Sequence, residues 1–165
     1  MKQALLLFNR GVNMMNRLIE WVLAIQLIIM TILIFWQVFA RFVMGTPLTF
    51  SEEIARFLMI WLTLLGAAYA YRKGTLISID LVNELLKGRV KQVLNTIVFT
   101  LGAIFSLILI VYGIEMVGNV AIQRAPSTGV SMQFPNLAIP VGGILIFINS
   151  IALIIDQYTK KEDAA

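Results

Sequence analysis

The side chains able to do chemistry in this sequence are few, and the densest group lies around one turn. Arg41 precedes Gly45-Thr46-Pro47, and Glu52, Glu53 and Arg56 follow it. Glu52 and Arg56 are four residues apart with the acid first, the favourable order for an ion pair on a helix. Glu20, Asp80, Glu84, Glu115 and Asp156 are scattered along the chain. There is no histidine and no cysteine. That removes the commonest general base at neutral pH, the usual zinc ligands, and the imidazole that most often holds haem iron. Enzymes need a nucleophile, a base or a metal held in a pocket, and the remaining carboxylates, lysines and hydroxyls have no spacing that assembles one. The reading is of a non-enzymatic chain with no catalytic residue, no metal and no cofactor of its own.

The elements that position these groups are apolar. Of 165 residues, 59% are hydrophobic and 13% charged, against about 25% charged in an ordinary soluble domain. Four apolar stretches each exceed the roughly 20 residues needed to cross a bilayer. The expected fold is an all-α integral membrane protein, a single unit over 1–165 with spans at about 18–40, 50–71, 93–120 and 135–155. The net charge of +4 then reflects membrane topology, with no nucleic-acid partner.

Along the chain, the mildly basic start with Lys2, Arg10 and Arg17 is read as retained at the membrane surface. In the first span Gln26 and Gln37 are eleven residues apart, close to three helical turns, and Arg41 follows one turn later. A polar stripe of this kind on a lipid-immersed helix faces protein. Thr49-Phe50-Ser51-Glu52 matches a capping box for the second span. That span carries Trp61 and a Gly66-xxx-Ala70 pair permitting close helix contact, and Gly74 suits a left-handed cap at its end. Residues 78–87 read as a short amphipathic helix, with Ile79, Val82, Leu85 and Leu86 opposite Asp80, Asn83, Glu84 and Lys87. Gly102 and Ser106 lie four apart in the third span. Residues 123–136 are rich in Pro, Ser and Gly and should form an irregular loop. Pro140, early in the last span, bends that helix unless a neighbour compensates.

Lysine and arginine counts set the orientation. The amino-terminal segment, the second connection and the tail hold three, five and two of them, whereas the two opposite connections hold Arg41, Arg56 and Arg124. Both termini and the amphipathic segment are therefore expected on the cytoplasmic side. The carboxylates lie toward span ends, while a carrier acting alone keeps an ionisable group or a broken helix near the bilayer centre. The chain reads as a subunit supporting something else.

WQVFARF, then PLTFSEEIARFLMIWLTLLGAAYAYRKG, then ISID, and later LAIPVGG, resemble the small membrane subunit, the DctQ-type or Q subunit, of tripartite ATP-independent periplasmic (TRAP) transporters. The resemblance is carried by the ordered set Gln37, Arg41, Glu52, Glu53, Arg56, Trp61, Gly66 and Asp80. One departure is Leu76, where many members have histidine. The resemblance implies a bacterial inner-membrane protein paired with a large multi-span subunit that holds the substrate and sodium sites. It also implies a periplasmic substrate-binding protein, an organic acid such as a dicarboxylate or sialic acid as solute, and a bracing role while the large subunit moves elevator-fashion. On this reading the eight residues are structural or partner-interface positions, and the outer rim from Arg41 to Arg56 contacts the binding protein or forms an internal salt-bridge cluster. Two alternatives stay open: a small autonomous homo-oligomeric carrier, and a membrane anchor of another complex.

Overall fold

The computed structural model describes residues 2–45, 48–74 and 89–162. Long uninterrupted apolar runs with few helix breakers give long helices, and the breaks come where glycine or proline stands. The first helix, α1, spans Lys2–Phe39 and widens into a π-helical turn, Ala40–Met44, which Gly45 ends with φ of 68°. The second, α2, spans Thr49–Lys73 and closes on Gly74 at φ of 70°, whose N–H donates back to Ala70 and Tyr71. The third, α3, is Arg89–Asn119; a single turn, α4, is Gln133–Asn136; and α5 is Ala138–Glu162. Among the described residues, four helices are long and apolar enough to cross a membrane. The amphipathic segment expected at 78–87 lies outside the described residues.

The amino-terminal segment is not a separate element. It continues without interruption into the first span, so α1 with its π turn covers Lys2–Met44, roughly 64 Å at about 1.5 Å per residue. That is about twice the hydrocarbon thickness, and one end of α1 must stand in the headgroup region or beyond it.

The capping box does not form. α2 starts after Leu48 without a side-chain cap, and the Ser51 hydroxyl instead donates to the Leu48 carbonyl at 2.8 Å. Ser51 is fully buried there, which directs its hydroxyl to the nearest free carbonyl. Pro140 falls within the first turn of α5, where no backbone donor is required of it. The preceding break is taken up by α4, with the Leu137 amide donating to Gln133 at 2.8 Å.

α1 packs on α2, α2 on α5, and α5 on α3, with a smaller contact between α1 and α5. α2 and α5 are thus interior, and α1 and α3 flank them. Of the most apolar window of each span, 39% is buried in α5 and 28% in α2, against 17% in α3 and 11% in α1. Small residues place α5 at the centre. A side chain at Gly143 would begin 3.1 Å from the Ser106 carbonyl oxygen, one at Gly142 3.0 Å from Leu64, and one at Gly113 on α3 3.0 Å from Pro140. Without a hydrophobic drive between helices in lipid, such close backbone approach is what packing relies on.

Candidate partner interface

The end of the row that carries the α1–α2 turn holds the charged group picked out by the sequence, and the fold divides it. Glu52 and Arg56 form the expected i,i+4 pair at 3.0 Å, with both side chains more than half exposed. Glu53, one residue on, points elsewhere. Its carboxylate accepts the amide and the hydroxyl of Thr128, each at 2.7 Å, and the Ser127 amide at 3.5 Å. Arg41 is exposed on the π-helical turn and makes no ion pair among the described residues. The four charges do not make one internal cluster.

The loop that Glu53 holds is more regular than its composition suggests. Arg124 and Ser131 form an isolated antiparallel bridge; the Ala125 amide donates to Val130 at 2.9 Å, and the Met132 amide to Gln123 at 3.0 Å. Gly129 supplies the left-handed residue that closes this turn, with φ of 68°. Trp61 fixes the far side: its indole N–H donates to the Phe134 carbonyl at 3.1 Å, and the two rings stand 6.0 Å apart. α2 therefore grips the loop before α5 at two points, Glu53 and Trp61, and leaves Arg41, Glu52 and Arg56 facing outward.

Gln26 is buried and donates to the Leu58 carbonyl on α2 at 2.7 Å, so the polar stripe of α1 does face protein at that level. Gln37 is half-buried on the same helix. Gly66 has no heavy atom of another helix within 4 Å of where a side chain would start. By contrast Gly102 is filled from α2: the Tyr71 ring lies on it, with Cζ 2.9 Å from a would-be Cβ. Of the two small-residue sites, one serves internal packing and the other is left open. Asp80 lies outside the described residues.

The opposite end, where α1 begins and α5 finishes, contains the connections that sequence reasoning missed. Arg72, its side chain 8% exposed, pairs with Asp156 at 2.8 Å and donates to Asn13 from Nε and Nη2 at 3.2 and 2.9 Å. Asn9 donates to the other oxygen of Asp156 at 2.5 Å. One layer deeper, Asn16 and Asn149 bond reciprocally at 2.7 and 3.2 Å, and Asn149 also donates to the Ala68 carbonyl at 2.9 Å. Beside Asn149 the Ser150 hydroxyl donates to Tyr71 at 3.3 Å, and Gln157, beside Asp156, donates to the Gln92 carbonyl at 2.7 Å. These bonds tie α1, α2, α3 and α5 together. The one available signal was Asn149, an amide inside the apolar run IFINSIALII, since an unsatisfied amide in hydrocarbon is costly.

Chemically, Asn16, Gln26, Asn149, Gln157 and Arg72 are spent on joining helices, while Thr31, Thr63, Thr96 and Thr100 bond to carbonyls of their own helix. Among the described residues no group of three or more His, Cys, Asp or Glu could hold a metal ion. What remains free is a set of surfaces: the apolar sides of α1 and α3, the open Gly66 site, and the exposed charges of the turn end. A family model described as "Tripartite ATP-independent periplasmic transporters, DctQ component" matches residues 30–160. A comparison with curated proteins gives no match.

Proposed function

Since the chain belongs to the DctQ family, the small membrane component of TRAP transporters, we propose that it is a non-catalytic permease subunit that braces a large multi-span partner rather than moving solute itself. On this reading it sits in the bacterial inner membrane with both termini in the cytoplasm. The turn end then faces the periplasm, a placement that the lysine and arginine counts support. The large subunit carries the substrate and sodium sites and moves elevator-fashion, and a periplasmic protein delivers an organic acid such as a dicarboxylate or sialic acid. No cofactor is assigned to this chain.

The observation that carries the proposal is the contrast between used polar groups and unused apolar surface. The amides and the buried arginine bond helix to helix, whereas Trp21, Phe35, Ile104 and Val111 on the flanking helices are more than half exposed. An apolar side is matched equally well by lipid and by another helix, so close approach is what selects the partner. Gly66, with nothing against it, is the position on α2 where a partner helix can come nearest. Arg41, Glu52 and Arg56 are assigned to contact with the periplasmic protein.

Co-expression of the chain with its large subunit tests this. The two are expected to co-purify in mild detergent, and Gly66→Leu is expected to release the large subunit while the small one stays folded. Failure of the two chains to associate would remove the basis of the reading.

A further inference from the structure

At the terminal end a cleft of about 1390 Å³ opens between α1 and the ends of α2 and α5. Its upper wall, toward the terminal end, carries four cations, Arg10, Arg17, Arg72 and Lys73, against one acid, Asp156; Glu20 stands further along α1, between Leu18 and Trp21. Asp156 is engaged by Arg72 and Asn9. Arg10 and Arg17 make no ion pair among the described residues. The Arg72 side chain is more than nine-tenths buried, and its Nη1 finds no acceptor among the described residues. A guanidinium held in place with one nitrogen unmet is a donor waiting for an anion.

The lower wall is different. Leu18, Trp21, Ala24 and Leu153 line it, and Leu18 and Trp21 are 60% and 66% exposed. From Arg10 to Ala24 the lining follows α1 for roughly 21 Å at about 1.5 Å per residue. That length matches a headgroup followed by one leaflet's half of the hydrocarbon, about 15 Å. Charge at one end, grease at the other and a tryptophan near the junction reproduce the polarity of a phospholipid standing in its leaflet.

We propose that this cleft binds one anionic phospholipid, with its phosphate among Arg10, Arg17 and Arg72 and an acyl chain along Leu18, Trp21 and Ala24. A free phosphate would use only the upper wall, and an acidic segment of a partner protein would leave the lower wall empty. Basic pockets between spanning helices are where headgroup phosphates are held. The proposal shares with the functional reading only the placement of these helices in a bilayer, and it is tested without any transport measurement.

The full chain in neutral detergent is incubated with phosphatidylglycerol or phosphatidylcholine of identical acyl chains, and retained lipid is counted by native mass spectrometry. Phosphatidylglycerol is expected to be retained over phosphatidylcholine. The double variant Arg10→Gln, Arg17→Gln removes two exposed charges that make no ion pair among the described residues. It should keep its circular dichroism and weaken phosphatidylglycerol retention by roughly 30-fold, the worth of two basic residues at a membrane surface. Equal retention of the two lipids, or an unchanged double variant, overturns the proposal. So does displacement of the lipid by soluble glycerol 3-phosphate at equal concentration, which would assign the site to small anions. Loss of all bound phosphatidylglycerol when the large subunit co-purifies would assign the cleft to a protein segment instead.

Discussion

The two ends of the helix row spend their polar residues in opposite ways. At the terminal end, residues far apart in sequence meet: Asn9 with Asp156, Asn16 with Asn149, Arg72 with both Asn13 and Asp156. Apart from the exposed Arg72–Asn13 bond these contacts are buried or half-buried, and each joins two helices. At the turn end the ion pair is local, one turn apart on α2, and exposed on both sides. Among the described residues there, Glu53 and Trp61 reach across, and they hold a loop. Charge density in the sequence therefore marks the end that is free to meet a partner, while stability is invested where the sequence looks unremarkable. A charge near its helical neighbour needs no tertiary fold to satisfy it, whereas a lone amide in an apolar run does.

That contrast can be broken most directly at Asp156. Replacing it with Leu leaves the Arg72 guanidinium buried without its counter-charge, a loss of about 3 kcal/mol, read as a lowered midpoint of unfolding in denaturing detergent. An unchanged midpoint would mean the terminal end does not hold the row together.

Next in size is a pair of glycines. Gly143→Val drives a branched side chain against the Ser106 carbonyl and Ile110, and overpacking of this kind costs about 1–3 kcal/mol. Among the described residues nothing lies within 4 Å of where a side chain at Gly66 would start, so Gly66→Leu should leave the same midpoint unmoved while weakening association with the large subunit. Equal destabilisation by both would erase the distinction between internal and open small-residue sites.

Asn149→Ala removes a reciprocal amide pair and a bond to Ala68. Buried bonds between membrane helices contribute about 0.6 kcal/mol on average and about 1.7 at most, so a loss toward the upper figure is expected from the same unfolding curve. Glu52→Gln should be the smallest, about 0.3–0.5 kcal/mol and reduced by salt. A large effect there would place the turn end among the stabilising contacts and reverse the comparison.

Much of this was legible beforehand, and for a physical reason. Lipid forces backbone groups to be satisfied within each helix, so four apolar runs fix four helices before any tertiary contact is considered. The Glu52–Arg56 pair and the Gly74 cap are likewise local and followed from spacing alone. What was not legible depends on how helices are laid side by side. Thr49 and Glu52 carry a capping pattern, yet burial of Ser51 draws its hydroxyl to Leu48 and the helix starts without a side-chain cap. Glu53 looked like a member of the arginine cluster, but the loop at Ser127 and Thr128 is brought within its reach only by the fold. The same holds for Arg72 and Asp156, which read as ordinary span-end charges until α2 and α5 are placed together.

The central claim is that this chain steadies a transporting partner and offers no route of its own. Reconstitution of the purified chain into vesicles, with a sodium gradient and a radiolabelled acid captured by the cognate periplasmic protein, tests it most directly. The account predicts uptake no greater than in empty vesicles from the chain alone, and gradient-driven accumulation once the large subunit and the loaded binding protein are added. Accumulation by the chain alone would contradict it.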